Sequence, residues 1–317
     1  MTSKIISFQV YRGSTEGRIV QDTTNRVLGR KDALVKLAHS GVCGTDAHFL
    51  RSGCVLGHEG VGYVEEVGEG VQGLVKGDRV GFGYVHKVCG KCDYCLNGME
   101  QFCADAQLFG NADLDEGSFG THAVWDADML VKIPSTLNLK DAAPLMCAGA
   151  TVWTALTMYG LKPGDRVGIQ GVGGLGHLAI QFAAKLGHEV IVLSSSESKR
   201  EEAFDLGATD FFAMKGSLEY PTEDKSIIFW FVAAETRITQ ISFEATPIYL
   251  HQLVLKGIRV QGSCVAARTS IRRMLRFAAL HRIKPVIMEW PMDQEGIEKA
   301  MEALRSGSMR YKGVLNA

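Results

Sequence analysis

The spacing of apolar positions changes character near residue 160. Upstream, short apolar runs alternate with turns. Val61–Val67 and Asp78–Phe82 read as strands, and Gly68, Gly70, Gly73 and Gly77 stand where the chain must turn. The first 130 residues therefore predict a compact, mostly β domain, closed by Pro134 and the segment Asn138–Asp141. Downstream, the period alternates between strand and helix. Pro163–Asp165 is a turn and Arg166–Gln170 a short strand. A helix is predicted from about Gly174 to Leu186, because Leu175, Leu178, Ala179, Phe182, Ala183 and Leu186 share one helical face; Gly187 ends it. Val190–Leu193 is a buried strand by its continuous apolar run. A second helix is predicted to start at Ser198, with Glu201 in capping-box spacing, and to stop at Gly207. Strand, helix, strand, helix implies a parallel βαβ unit. Ser226–Ala233 and Arg237–Phe243 read as further strands, and a helix is predicted at about Ser270–His281.

At 317 residues the chain can hold two domains. Its composition, 46% hydrophobic and 22% charged with net charge −1, is that of an ordinary soluble domain and argues against a nucleic-acid or anionic-membrane partner. The longest apolar run, Ile227–Ala234, is far shorter than a membrane span. Met1–Ile6 lacks the features of a signal peptide, so a cytoplasmic location is expected. In a reducing compartment, clustered cysteines read first as metal ligands.

Such a cluster is present. Cys89, Cys92, Cys95 and Cys103 have the spacing C-x2-C-x2-C-x7-C, and four thiolates on so short a stretch can close a tetrahedral shell around one Zn2+. A closed four-sulfur site has no open position for chemistry, so a zinc enzyme would need a second ligand set. Cys43, His58 and Cys147 offer one: three ligands leave a fourth position for water or substrate. Alone, each would read as a core cysteine or a satisfied histidine; their joint occurrence with the cluster carries the inference.

Gly171-Val172-Gly173-Gly174-Leu175-Gly176 is a G-x-G-x-x-G pattern with a strand before it and a helix after it. The glycines permit a tight turn, close approach of a pyrophosphate and close helix–strand packing, and the helix N-terminus favours phosphate. The next strand ends in Ser194, Ser195 and Ser196, followed by Lys199 and Arg200. Hydroxyls and a cation suit a 2′-phosphate, so NADP(H) is favoured over NAD, for which Glu197 is the alternative anchor.

Taken in order, Gly41–His48, Gly57–Gly62, Cys89–Cys103, Cys147–Thr151 and Gly171–Gly176 resemble the motifs of zinc-dependent medium-chain alcohol dehydrogenases, nearest the cinnamyl-alcohol-dehydrogenase-like branch and its fungal relatives. The resemblance covers nearly the whole chain. It implies an α/β fold with a GroES-like β-rich catalytic domain (1–140 and 265–317) and a Rossmann-type doubly wound parallel-sheet domain (141–264). It further implies two zinc ions per chain. Cys43, His58 and Cys147 would bind the catalytic one, with Glu59 as an alternate ligand, and the four-cysteine lobe the structural one. Asp46 would orient His58, and Thr45 and His48 would pass a proton to solvent. Thr151 and Arg310 would approach the cofactor, and Phe49 and Phe82 the substrate. The implied reaction is reversible hydride transfer between a primary alcohol or aldehyde and NADP(H), in a homo-oligomer, either a homodimer or a homotetramer.

One departure stands out. Parallel neighbours need a crossover of roughly a dozen residues or more, yet only a few separate the strands at Ser226–Ala233 and Arg237–Phe243. A crossover helix, roughly twenty residues, is expected to be missing there. The alternative reading follows: a zinc- and cofactor-binding protein of the same fold with impaired catalysis. A zinc-free quinone-type reductase of the same superfamily conflicts with both ligand sets.

Overall fold

The structure, a computed structural model, describes residues 5–214, 229–232 and 261–317. The β-rich part begins with a hairpin, β1 (Ile5–Gly13) and β2 (Ile19–Val27), paired antiparallel. Then come β3 (Asp32–Val42), β4 (Gly60–Val67), β5 (Arg79–Phe82), β6 (Val85–Lys87), β7 (Gln107–Leu108), β8 (His122–Asp126) and β9 (Val131–Lys132). After them lie β10 (Arg166–Gln170), β11 (Glu189–Ser194), β12 (Asp210–Ala213) and β13 (Phe229–Val232), and the chain closes with β14 (Ile287–Pro291) and β15 (Lys312–Asn316).

Two sheets organise the site. The larger runs β14-β15-β3-β4-β5-β9, with β8 on β3, so the C-terminal strands return to pair with the N-terminal part. The smaller is parallel throughout, in the order β12-β11-β10-β13. Its first strand, β10, is flanked by the second and the fourth. That order reversal is the topological switch point of a doubly wound sheet, where ligands lie outside the carboxyl ends of the strands. Helices cover both sheets: α1 (Gly44–His48), α2 (Asp93–Leu96), α3 (Leu139–Ala142), α4 (Ala148–Thr157), α5 (Gly176–Lys185), α6 (Arg200–Leu206), α7 (Arg268–His281) and α8 (Gln294–Ser306). None of the described helices is long and apolar enough to cross a membrane.

The largest core cluster joins α4, α5 and α7 to the parallel sheet through Trp153, Phe182, Ile169, Val192 and Met274. Trp153 meets Phe182 edge-on and lies 5.0 Å from Phe277. A second cluster, with Leu56, Phe109, Phe119, Ile297 and Met301, seats α8 against the catalytic sheet. Fully burying each such side chain contributes about 1.5–3 kcal/mol.

Most element positions agree with the expectation from sequence, and three helix starts differ: α7 begins at Arg268 rather than Ser270, and the other two lie in the parallel-sheet unit. The second βαβ helix does not start at Ser198. A 3-10 turn occupies Glu197–Lys199, Glu197 pairs with Arg200, and α6 begins at Arg200 with Lys199 as its N-cap. α5 begins at Gly176 rather than Gly174, because the glycine loop stays irregular, with Gly171 at φ +91°. Of the two later strands, the first appears as β13; Arg237–Phe243 and the expected missing crossover lie outside the described residues.

Candidate functional site

The catalytic residues of the prediction are assembled by two helix starts and one strand start. Cys43 is the N-cap of α1. Its N–H donates to Asp46 Oδ2 at 2.9 Å, and that capping box holds the short helix against the sheet. Asp46 is fully buried; its Oδ1 also accepts from Gly57 N at 2.9 Å and from His58 Nδ1 at 3.1 Å. His58 is thereby held with Nδ1 protonated. Its other nitrogen, Nε2, is buried without a hydrogen-bond partner. Cys147 caps the N-terminus of α4 from between the two sheets, and Thr151 N donates to its carbonyl at 2.8 Å.

Ligand atoms of Cys43, His58, Glu59 and Cys147 all lie within 4.8 Å of one another. An orphaned imidazole nitrogen aimed at two thiols is the donor set that zinc takes, and a site with this composition fits the ion. The electrostatics point the same way. A hydrogen bond from Cys147, opposed by burial and reinforced by Lys312 and His58, holds the Cys43 thiol well below its ordinary pKa. Glu59 is raised to about 7, chiefly by burial, with Lys312 opposing.

Lys312 was not singled out by the sequence. It is buried at 3% exposure, and its Nζ donates to Glu59 Oε1 at 2.8 Å and to Val42 O at 2.9 Å. Glu59 Oε2 has no partner, and it occupies the space of a side chain at Gly41: a Cβ there would sit 1.8 Å from it. Gly41 is thus a close-approach glycine. Arg310, expected at the cofactor, pairs with Glu202 of α6, as does the Tyr311 hydroxyl, and lies 5.5 Å from the Tyr311 ring centroid, the ring that Lys199 also covers. The cation that reaches the metal group is two residues further on.

Thr45 Oγ1 lies 3.8 Å from Cys43 Sγ, and His48 is exposed at the end of α1, edge-on to Phe49 at 5.1 Å. Around His58 stand Phe109, at 4.9 Å between ring centroids, and Tyr84, at 6.0 Å. Phe49 packs on Phe109 at 5.4 Å. Phe82 does not join them. It is 1% exposed and stacks on Trp125 at 4.0 Å in the core under β4 and β5, so its assignment to the substrate side is corrected. Tyr84 is partly exposed, while Phe109 is fully buried behind the His58 ring.

In the lobe, Cys89, Cys92, Cys95 and Cys103 also lie within 4.8 Å of one another. Backbone N–H groups at Lys91 and Cys92 pull the Cys89 thiol down to about 6, while burial and the neighbouring sulfurs push Cys95 up to about 12. Four sulfurs at this distance without disulfides fit one closed tetrahedral ion.

At the parallel sheet, the Gly171–Gly176 loop lies at the switch point, between β10 and the N-terminus of the ten-residue α5. Lys199 Nζ donates to the Val172 carbonyl and sits 4.9 Å over the Tyr311 ring. Ser194 is buried at the end of β11; Ser195 and Ser196 are exposed beyond it. Glu197 is held by Arg200 through two contacts at 2.6 and 2.9 Å. The loop geometry and the helix end suit a dinucleotide pyrophosphate.

Comparison with known proteins agrees with this arrangement. Residues 29–135 match the alcohol dehydrogenase GroES-like domain and residues 174–228 the zinc-binding dehydrogenase domain. An alcohol dehydrogenase of Geobacillus stearothermophilus is 33% identical over 312 aligned positions, covering 90% of this chain and 91% of the relative. Cinnamyl alcohol dehydrogenase 8 of Arabidopsis thaliana is 32% identical over 324 positions, covering 92% and 90%. Among solved structures, a cinnamyl alcohol dehydrogenase of Sorghum bicolor superposes with TM-score 0.85 at 28% identity, covering 98% of each chain. One from Helicobacter pylori, complexed with NADP(H), superposes with TM-score 0.87 at 24% identity over 99% of each. The chain belongs to the zinc-binding, medium-chain alcohol dehydrogenase family, with its GroES-like and Rossmann-type folds.

Proposed function

We propose that this protein catalyses reversible hydride transfer between a primary alcohol and its aldehyde, with NADP(H) as redox partner and two zinc ions per chain. The observation that carries the reading is the buried, partnerless Nε2 of His58, oriented by Asp46 toward Cys43, Cys147 and Glu59. Residues 1–140 and 265–317 would form the catalytic domain and residues 141–264 the cofactor domain.

Zinc at Cys43, His58 and Cys147 would supply a Lewis-acid charge, and the nicotinamide would accept or donate the hydride. The chain's own residues do the rest. Asp46 fixes the tautomer of His58. Thr45 takes the substrate hydroxyl proton, and His48, exposed at the end of α1, hands it to solvent. Phe49 and Tyr84, both partly exposed beside His58 and backed by the buried Phe109, would exclude water around the reacting carbon. Ser194, Ser195, Ser196 and Lys199 favour a 2′-phosphate, and engagement of Glu197 by Arg200 weakens the case for NAD.

A second reading keeps the fold and the binding but impairs turnover. The alignment to the Arabidopsis relative spans 324 positions, more than the 317 residues of this chain, so it contains gaps on this chain's side. The expected missing crossover is one place for them. An NADPH oxidation screen over aliphatic and aromatic aldehydes, with zinc counted on the same sample, separates the two. Turnover abolished by Cys43→Ala supports the enzyme; NADPH binding with bound zinc and no turnover supports the second reading.

A further inference from the structure

His177, the second residue of α5, is fully buried and bridges two parts of the molecule. Its Nδ1 lies 2.7 Å from the carbonyl of Gly173, inside the glycine loop. Its Nε2 lies 3.1 Å from the Val286 amide nitrogen, just ahead of β14. An amide N–H can only donate, so Nε2 must be the acceptor, and the proton resides on Nδ1, which donates to Gly173. Only neutral imidazole satisfies both ends. Burial agrees, lowering the pKa of His177 to about 4.

The bridge continues. The Val286 carbonyl accepts from Tyr311 N at 3.0 Å and from Lys312 N at 3.1 Å. Lys312 Nζ then reaches Glu59 Oε1 at 2.8 Å. The Tyr311 ring stacks on His177 at 5.2 Å. A continuous chain of hydrogen bonds and one backbone segment thus runs from the glycine loop to the carboxylate beside Cys43. One turn along α5, Gln181 makes a separate pair of contacts to Lys284, at 2.9 and 3.3 Å, neither of them to the loop.

We propose that His177 is a positioning residue that sets the glycine loop relative to the metal group, so that dinucleotide affinity depends on its neutral two-sided bridge. The inference rests on the reading of that loop as a cofactor site. The test uses the zinc-loaded full chain and titrates NADPH by fluorescence. His177→Asn can keep the Gly173 contact and lose Val286; His177→Gln can keep Val286 and lose Gly173. Gln181→Ala removes the Lys284 contacts and a 3.2 Å hydrogen bond from Gln181 Nε2 to the His177 carbonyl, and leaves both imidazole contacts of His177 in place. Each His177 variant is expected to weaken NADPH binding roughly five- to tenfold, the size of one lost buried hydrogen bond, while Gln181→Ala lowers the melting temperature and leaves binding within about twofold. His177 variants that bind NADPH within twofold of the parent overturn the proposal and leave a purely structural staple. Amide exchange at Val286 in the unmutated protein needs no variant: added NADPH is expected to slow it, and an unchanged rate counts against the bridge. A parent that binds neither NADPH nor NADH overturns the cofactor reading itself, and this proposal with it.

Discussion

The link between the cysteine lobe and the rest of the molecule makes a sharp prediction. Glu100 lies between Cys95 and Cys103 and its side chain is 6% exposed. Its Oε1 accepts from the Arg268 amide at 2.7 Å and from Arg268 Nε at 2.8 Å, and its Oε2 accepts from Nη2 at 2.9 Å. Arg268 also donates to the Asp128 carbonyl at 2.8 Å, and its side chain is 24% exposed. Arg268 opens α7, whose buried Met274, Leu275 and Ala278 pack into the same core as α4, the helix capped by Cys147. The pair therefore fastens the four-cysteine lobe to the helix layer that carries one of the candidate catalytic ligands.

The two halves of the pair are not equivalent. Arg268→Met leaves a buried carboxylate with only a backbone N–H. Breaking a buried pair this way costs about 3–5 kcal/mol, and partial exposure of the arginine places the expected loss near 3. Glu100→Gln leaves a cation that can reach water and a neutral side chain that still accepts a hydrogen bond, for about 1–2 kcal/mol. Urea unfolding of both variants at equal zinc content, followed by tryptophan fluorescence, checks the order. If Glu100→Gln destabilises as much as Arg268→Met, the anion is not the buried partner that the geometry makes it, and the argument fails.

Three further outcomes are expected. Gly41→Ala places a methyl group in the space of Glu59 Oε2, and overpacking should lower stability by about 1–3 kcal/mol and reduce zinc at the Cys43 group while the cysteine lobe stays loaded, as metal analysis per chain would show. Asp46→Asn turns an acceptor of three N–H groups into one that also presents donors, and should weaken zinc binding at that group by roughly 10–100-fold, measured by competition with a chromogenic chelator. His177 gives a pH signature. Its pKa, about 4 when folded, lies below its ordinary 6.5; burial lowers it, Lys312 adds to that, and Gly173 and Glu202 oppose. Between those values the unfolded chain binds the extra proton, so this contribution is whole above pH 6.5 and is lost progressively as pH falls toward 4. The stability difference between parent and His177→Asn should shrink by up to about 3 kcal/mol from pH 7 to 4, and a constant difference would contradict the buried neutral imidazole.

The features legible in the sequence are those whose partners are near in the chain or whose residue type admits few uses. Four cysteines within fifteen positions can scarcely be read otherwise, and the structure brings their sulfurs within 4.8 Å. The glycine loop is legible because strand, loop and helix are consecutive. The start of α6 differs from the expected one for an equally local reason. Ser198 and Glu201 fit a capping box, but Arg200 pairs with Glu197 three residues back, and that spacing closes a 3-10 turn instead.

What escaped the sequence depends on contacts across most of the chain. Arg310 and Lys312 are two cations separated by one residue, and nothing local tells which faces solvent. The fold decides it: Arg310 meets Glu202 at the surface of α6, while β15 pairs with β3 and carries Lys312 behind the metal group, beside a glutamate 253 positions away. Burial then removes any freedom in the assignment, since a lysine at 3% exposure must have an anion, and Glu59 is the carboxylate within reach. Gly41 shows the same dependence. Beside Cys43 it reads as part of a ligand-bearing turn, but its missing side chain is required by an oxygen of Glu59, in a different motif. The segments around Cys43 and His58, separate in the sequence, are therefore one steric and electrostatic unit: Gly41 makes room for Glu59, Lys312 holds Glu59 in place, and Asp46 ties His58 to the backbone of Cys43 and Gly57. A substitution in either segment should perturb the other, in proportion to how little space the shared carboxylates have to move.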